Sequence, residues 1–483
     1  FAREVQPVLN RYCVGCHDGR PDRPDLRPED RVQNIRTWPI GFPERLHPRM
    51  KADTGGRLSY TPAYDVLIRR IRRVGIEDDV SMLTPGEYHA DSSPLIRMLR
   101  KGHQGVQLDA EAWDRLVTWI DLNGPCHGTW GEVYPIPDGA HERRMELRKL
   151  YGGPADDPEA IPDIPREPRP PVAPKPLPGA DPVKLDGWPL SVDEARRRQT
   201  AGGPYERTAD LGDGATMRLV RIPPGEFVMG DPRGEPDEHP LARIRIDKPL
   251  WIGACEVTNA QFRRFDPTHD CQYYAKRHGR TDDQGLPLNA PDQPVVRISW
   301  GEAMAFCRWL GERTGMHFTL PTEAQWEYAC RAGSDSALSY GELDTDFSRW
   351  ANVADRAFSV GLVKDGQQIT GGLIHFVMEG ADLADARFDD GAVVTAPVGS
   401  YQPNAWGLHD MHGNATEWTR TVYRSYPCRD DDGRSDPETD GRKVVRGGSF
   451  FDPPERCRSA FRLDYPPWQR VFNVGFRVVA EAS

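Results

Sequence analysis

The sequence predicts a multidomain chain: a mainly helical domain over residues 1–133, a proline-rich connector over 134–205, and a third block, 206–483, of short strands and loops with few helices. Three observations predict this. Cys13-Val14-Gly15-Cys16-His17 lies in an N-terminal block where apolar residues recur at helical spacing. Proline crowds Pro168–Pro178, where that periodicity stops. Beyond Arg207 the chain is rich in Gly and Trp, and its apolar runs are short.

Composition bounds the function. The 483 residues are 38% hydrophobic before the 46 glycines are counted, so a buried core is expected and wholesale disorder is excluded. No run of about 18 apolar residues occurs, so no transmembrane segment is expected. The formal charge is −11 with no long basic run, which excludes a phosphate-backbone reader, and nucleic acid is not an expected partner. The sequence opens at Phe1 rather than Met, and a processed or truncated chain is expected, with any targeting segment upstream.

In the first block, Phe1–Tyr12 reads as a helical run. Leu95 and Leu99, then Trp113, Leu116, Val117 and Ile120, repeat at three- and four-residue spacing, and Asp109 reads as the start of the second helix. Between these, Cys13-x-x-Cys16-His17 has the spacing that covalent haem attachment requires. Two thiols on one turn add to the two vinyl groups, and the adjacent imidazole faces the iron. A zinc or redox C-x-x-C is the alternative. The sixth-ligand candidates are Met82, Met98, His89, His103 and His127. The stretch Leu99–Leu108, with His103 after Gly102, and then Trp119–Pro125, resembles the cytochrome domain of the hydrazine synthase alpha subunit and related planctomycete proteins. That resemblance implies a c-type cytochrome domain with His17 and His103 as the axial pair. Met82 is the runner-up, and Cys126 departs from the family pattern, which tends to have an aromatic residue there. No part of the resemblance extends to hydrazine synthesis. A bis-His iron lies at lower potential than a Met/His one. Thioether attachment normally occurs outside the cytoplasm, so one haem c implies a periplasmic or otherwise extracytoplasmic protein.

The connector reads as an extended, semi-rigid spacer, with a helical turn expected near Asp193. In the third block two helices are expected. One is Trp300–Arg313, where Ala303, Phe306, Cys307 and Leu310 repeat; the other is Thr322–Arg331, with Thr322 as cap and Glu323 at the positive end.

The third block also carries Ile222–Gly230, Glu256–Asn259, Pro294–Trp300, Leu320–Ala329, Gly413–Trp418, Arg446–Ser449 and Gly475–Arg477 in that order. The series resembles the formylglycine-generating enzyme (sulfatase-modifying factor) family. The resemblance implies an α+β, C-type-lectin-like fold with little regular secondary structure and two calcium sites. By motif, one site uses the Asn352 side chain, the Val353 carbonyl, Asp390 and the Ala392 carbonyl. The other uses Asp410, the Gly413 and Ala415 carbonyls, and Glu417. These are hard oxygen donors of the kind calcium takes. The alternative is that the carboxylates serve turns and caps.

The family's copper(I) cysteine pair is not complete. After Arg446–Ser449 the first position holds Asp452 and the second Cys457. One thiolate with one carboxylate is a poor site for a soft ion, so oxidation of a substrate thiol is not expected. The catalytic residues are unknown, with Cys457 and Ser449 the groove positions that remain. A sister branch uses non-haem iron held by an H-x3-H-x-E motif, which is absent here. His409 and His412, three apart and flanking Asp410, have a spacing that could put two imidazoles near a metal, but the expected reading is exposed or hydrogen-bonding residues beside a calcium loop. Seven cysteines remain after Cys13 and Cys16, an odd number, and Cys330 with Cys457 is one guessed pair.

The first reading is an extracytoplasmic monohaem electron-transfer protein. Its second domain binds a redox partner, such as a multihaem protein, or an unknown ligand or peptide. The alternatives are an oxidoreductase coupling haem to an unrecognised metal in the C-terminal groove, and a structural subunit of a larger redox complex.

Overall fold

A proline in the first turn and one apolar face define the first helix. In α1 (Gln6–Tyr12) Pro7 sits where a missing N–H is tolerated, and Val8, Leu9 and Tyr12 are buried. The computed structural model describes residues 1–21, 23–28, 61–73, 86, 88–129, 136–161, 169–175, 183–274, 286–360, 363–364, 367–368, 384–429 and 432–481. They fall into two units. The first takes the described residues of 1–73 and 88–175, and the second takes 183–481 together with Gly86.

In the first unit, α2 (Pro62–Ile68) is capped by the Thr61 hydroxyl, which accepts from Tyr64 N–H. Helix α3 (Pro94–Arg100) turns Leu95, Ile96 and Leu99 inward. Helix α4 (Ala110–Asp121) starts at Asp109, whose carboxylate accepts from Ala112 N–H, as the sequence predicts. Leu116, Trp119 and Ile120 pack with Val5 and Ile71 in one core. Phe1 sets its ring edge-on to Tyr64 and Trp119 at 5.2 and 5.5 Å. Helix α5 (Ala140–Leu150) buries no residue. Its mixed charges give no apolar stripe, and the sequence reading does not include it.

The expected spacer is divided between the units. Val172 N–H donates to Arg11 O at 2.7 Å, and Lys175 N–H to Gly105 O at 2.9 Å, both within the first unit. Helix α6 (Val192–Thr200) belongs to the second unit. Its Ala195 is fully buried there, and Gln199 donates to the carbonyls of Arg221 and Trp406. Proline removes its own N–H but leaves those of the intervening residues free to bond, so a proline-rich stretch can dock.

The second unit is α+β with little regular structure. Beside two short two-stranded pairs, its strands are β1 (Glu206–Gly212), β2 (Ala215–Ile222), β3 (Gly225–Met229), β4 (Ala242–Ile246), β5 (Leu250–Gly253), β6 (Phe318–Thr319), β7 (Thr416–Val422), β8 (Lys443–Arg446), β9 (Arg462–Tyr465), β10 (Val474–Gly475) and β11 (Val479–Glu481). One sheet runs β1-β2-β5-β11-β6, a second runs β9-β8-β7-β10, and β3 pairs with β4. The register between β7 and β8 shifts after Trp418, which curls the second sheet. Helix α7 (Trp300–Thr314) opens with a Ser299–Glu302 capping box, and α8 (Glu323–Arg331) with a Thr322–Gln325 one. Every residue of α8 except Gln325 is buried.

Four buried arginines tie this irregular chain together. Arg462 grips Glu323 with two bonds of 2.7 Å. Arg477 holds Glu417 at 2.5 and 2.7 Å, Arg458 holds Glu238 at 2.7 Å, and Arg446 bonds Glu327. The two-bond grips of Arg462, Arg477 and Arg458 satisfy both charges where water is excluded, while Arg446 Nε has no hydrogen bond. Among the described residues no helix is long and apolar enough to cross a membrane.

Candidate functional sites

The first candidate lies in the first unit, where α1 runs into the C-x-x-C-H turn. Cys16 N–H and His17 N–H both donate to Cys13 O at 3.0 Å, so the two thiols and the imidazole follow one another around a single turn. His17 Nδ1 lies 2.9 Å from Pro24 O. A carbonyl only accepts, so Nδ1 carries the proton and Nε2 keeps its lone pair. Opposite stands His103, in a short turn whose neighbours Gly102, Gln104 and Gly105 all have positive φ. The two imidazole rings are 6.1 Å apart between centres and inclined by 28°.

Cys13, Cys16, His17 and His103 line one cavity of about 640 Å³. Leu26, Leu67, Leu95, Met98, Leu99 and Leu116 make it largely apolar. Burial pushes the Cys13 thiol up to about 12, whereas a redox-active C-x-x-C needs a lowered thiol pKa. Among the other ligand candidates, Met98 also lines the cavity, while His89 and His127 do not. The His89 ring is occupied in capping, accepting from Asp91 N–H at 3.0 Å. Met82 lies outside the described residues.

The second candidate is the buried turn after β8. Gly447 and Gly448 both have positive φ, and a Cβ on Gly448 would lie 2.5 Å from Cys457 Sγ, so only glycine lets the loop pass the thiol. Ser449 Oγ donates to Asp452 Oδ2 at 2.7 Å and accepts from Asn473 Nδ2 at 2.8 Å. Arg456 lies 3.7 Å from the other Asp452 oxygen. Cys457 is fully buried, 3.7 Å from Asp452 O, and burial with the nearby Asp452 charge keeps it a protonated thiol. Cys330 and Cys457 are both free thiols, so the guessed disulfide is not formed here. The Cys330 sulfur instead sits 3.5 Å from His412 Nε2. His412 Nδ1 lies 2.7 Å from Cys457 O, and His409 Nδ1 lies 2.8 Å from Tyr401 O. Both imidazoles serve main-chain hydrogen bonds. Among the described residues, no three His, Cys, Asp or Glu side chains are grouped as metal ligands.

The third candidate is the pair of oxygen-rich loops. Asp390 accepts from Val353 N–H at 2.8 Å and from Ala392 N–H at 2.9 Å. Burial and the neighbouring Asp355 push its carboxyl up to about 7. Asn352 Nδ2 bonds Val394 O and Asn414 Oδ1, and its own Oδ1 is buried without a hydrogen bond. Asp410, at φ +58°, is buried beside Glu256, and each carries one buried oxygen with no partner. The Asp410 backbone and those of Gly413, Asn414 and Ala415 share this loop, with Gly413 bridged to Asn352. Glu417 stands apart in one respect: Arg477 and Trp326 Nε1 engage both of its oxygens. The residue that sequence reasoning missed is Glu256. Its signal was a carboxylate between Cys255 and Val257, in a run otherwise suited to burial.

The second unit is thus a curled, irregular α+β domain with a glycine turn after β8. Residues 209–482 match the Sulfatase-modifying factor enzyme 1-like domain family, and the chain belongs to that family. Among its relatives, the formylglycine-generating enzyme of Streptomyces coelicolor is 31% identical over 324 residues, covering 56% of this chain and 91% of the relative. The Bos taurus formylglycine-generating enzyme is 30% identical over 312 residues, covering 55% and 75%. Inactive C-alpha-formylglycine-generating enzyme 2 of Bos taurus is 27% identical over 328 residues, covering 57% and 92%. Among solved structures, PvdO from Pseudomonas aeruginosa aligns at a TM-score of 0.42 and 24% identity, over 57% of this chain and 98% of that one.

Proposed function

We propose that this chain is an extracytoplasmic monohaem electron carrier whose second unit binds a partner or ligand rather than oxidising a thiol. One observation carries the proposal: His17 and His103 face each other across an apolar cavity with Cys13 and Cys16 at its wall. His17 and His103, with ring centres 6.1 Å apart, would hold the haem iron between them, and a cavity of about 640 Å³ is in the range of cofactor sites. A haem bound there supplies reversible one-electron transfer. The protein's part is to hold the His17 tautomer through Pro24 O, to keep the cavity dry, and to present His103. Thioether attachment supports a periplasmic or equivalent location, where the partner would be another redox protein.

Covalent haem is the test. The protein, coexpressed with a cytochrome c maturation system, is expected to keep one haem per chain through denaturing electrophoresis and to give a pyridine haemochrome spectrum of the two-thioether type. The variant carrying Cys13→Ser and Cys16→Ser is expected to lose it completely. Wild-type protein without covalent haem would refute the reading.

For the second unit, Asp452 engaged by Ser449 and Arg456 supports loss of copper chemistry, and an inactive relative is known in this family. Wild-type protein is expected to hold no copper(I) after desalting. Asp452→Cys restores a thiol pair five residues apart and is expected to take up about one equivalent, since soft thiolates select that ion. Competition with a chromogenic copper(I) chelator reads the difference.

The orphaned oxygens of Asn352, Asp410 and Glu256 fit calcium at the two loops, with Asp390 and the carbonyls of Val353, Ala392, Gly413 and Ala415 completing the donor sets. A cation held at 100 times its Kd stabilises by about 2.7 kcal/mol. Adding EGTA is therefore expected to lower the melting temperature of the second unit by several degrees, and calcium, not magnesium, to restore it. A melting curve indifferent to both would remove calcium from these loops.

A further inference from the structure

We propose that residues 169–175 form a strap that fixes the His103 loop relative to the helix leading into the C-x-x-C-H turn, with Arg169, Val172 and Lys175 as its positioning residues. This rests on the haem reading above.

The segment reads Arg169-Pro170-Pro171-Val172-Ala173-Pro174-Lys175. Proline fixes φ, and a polyproline chain repeats every three residues at about 3.1 Å per residue. Positions 169, 172 and 175 therefore lie along one edge of the segment. Each of them makes a contact. Arg169 pairs with Glu111 at 2.7 Å and lies 3.7 Å from Asp109, at the start of α4. Val172 N–H donates to Arg11 O at 2.7 Å, two residues before Cys13. Lys175 N–H donates to Gly105 O at 2.9 Å, two residues after His103. Arg11 in turn pairs with Asp109 at 2.7 Å. The strap thus ties together the segments that carry the two facing histidines.

The fit at Gly105 is close. Its φ is +77°, and a Cβ there would lie 1.7 Å from Lys175 O, so strap and loop touch through backbone alone. The loop has three points of left-handed backbone around His103, at Gly102, Gln104 and Gly105. The turn closes on two main-chain bonds of its own, Gly105 N–H to Gly102 O at 2.8 Å and Val106 N–H to His103 O at 2.9 Å, but its glycines still have the most conformational freedom to lose. The external bond from Lys175 N–H to Gly105 O restrains that freedom further. The prolines reduce what the strap itself loses on docking, since an extended conformer is already favoured. Proline-rich composition here serves rigidity of the cavity wall rather than reach between units.

The experiment uses the full chain. Val172→Pro with Lys175→Pro deletes both donors while keeping the extended backbone, and neither residue lines the cavity. Arg169→Ala is the milder second variant. Two readouts are taken: carbon monoxide association with the dithionite-reduced, haem-loaded protein, and hydrogen exchange of residues 102–106 by mass spectrometry. The doubly substituted protein is expected to bind carbon monoxide about tenfold faster, equivalent to about 1.4 kcal/mol, with a smaller gain for Arg169→Ala and the largest for His103→Ala. Exchange over 102–106 is expected to quicken in step. Haem-loaded variants with the wild-type carbon monoxide rate would overturn the strap. A chain that carries no haem would refute the underlying reading instead. The two failures are told apart by the haemochrome assay, and by exchange, which needs no haem: unchanged exchange in a haem-free chain also overturns the strap.

Discussion

Arg462→Met lowers the melting temperature of the second unit by roughly 10 °C, taking about 2–4 °C per kcal/mol for a domain of this size. The cause is Glu323. It sits at the first position of α8 with no exposed surface, and its two oxygens each accept from Arg462 at 2.7 Å. Removing the guanidinium leaves a buried carboxylate with only Arg446 Nε at 3.7 Å and the Tyr426 hydroxyl at 3.5 Å beside it among the described residues, and breaking a buried pair in this way costs about 3–5 kcal/mol. Arg462 also donates to the carbonyls of Asp237 and Arg424 and lies 4.5 and 4.3 Å from the rings of Tyr423 and Tyr426. Those partners are stranded too. Adding Glu323→Gln to the same chain is expected to recover part of the loss, because the stranded group is then neutral. Calorimetry of the three proteins reads the pattern. A melting point for Arg462→Met within a degree or two of wild type would show that the pair does not form.

The second large effect is at His103. Haem-loaded His103→Ala is expected to change from a six-coordinate, low-spin spectrum to a high-spin one, to bind carbon monoxide readily, and to titrate at a higher potential. The direction follows from losing an imidazole donor that favours the oxidised metal. Met98 is the internal control, because it lines the same cavity. If Met98→Ala changes the spectrum and His103→Ala does not, the axial pair is His17 with Met98.

What the sequence made legible was what depends on neighbours in the chain. Asp109 as the cap of α4, Thr322 as the cap of α8, and the apolar repeat of α7 all act within four residues, and the structure places them as read. The ordered motifs of the second unit were also legible, and the family match spans them. Glu323 was half legible. Its position fits a helix N-terminus, but its partner Arg462 is 139 residues away. Glu256 beside Asp410 was not legible, because the two loops meet only in three dimensions. Helix α5 has no apolar period to detect. The three-residue period of 169, 172 and 175 was present in the letters, yet the bonds that give it meaning reach back 70 and 161 residues.

Strand β11 has an implication for how the second unit comes into being. It is the last strand of that unit in the chain, but it lies inside its sheet, hydrogen-bonded to β5 on one side and β6 on the other. Neither β5 nor β6 has that neighbour until residues 479–481 have emerged from the ribosome. Such pairing, across some 230 residues of sequence between Ile252 and Val479, closes late and slowly. The unit therefore stays open through most of its synthesis, with strand edges unsatisfied and prone to mispairing. On the extracytoplasmic location proposed above, that delay is useful: a chain that cannot finish folding early remains translocatable.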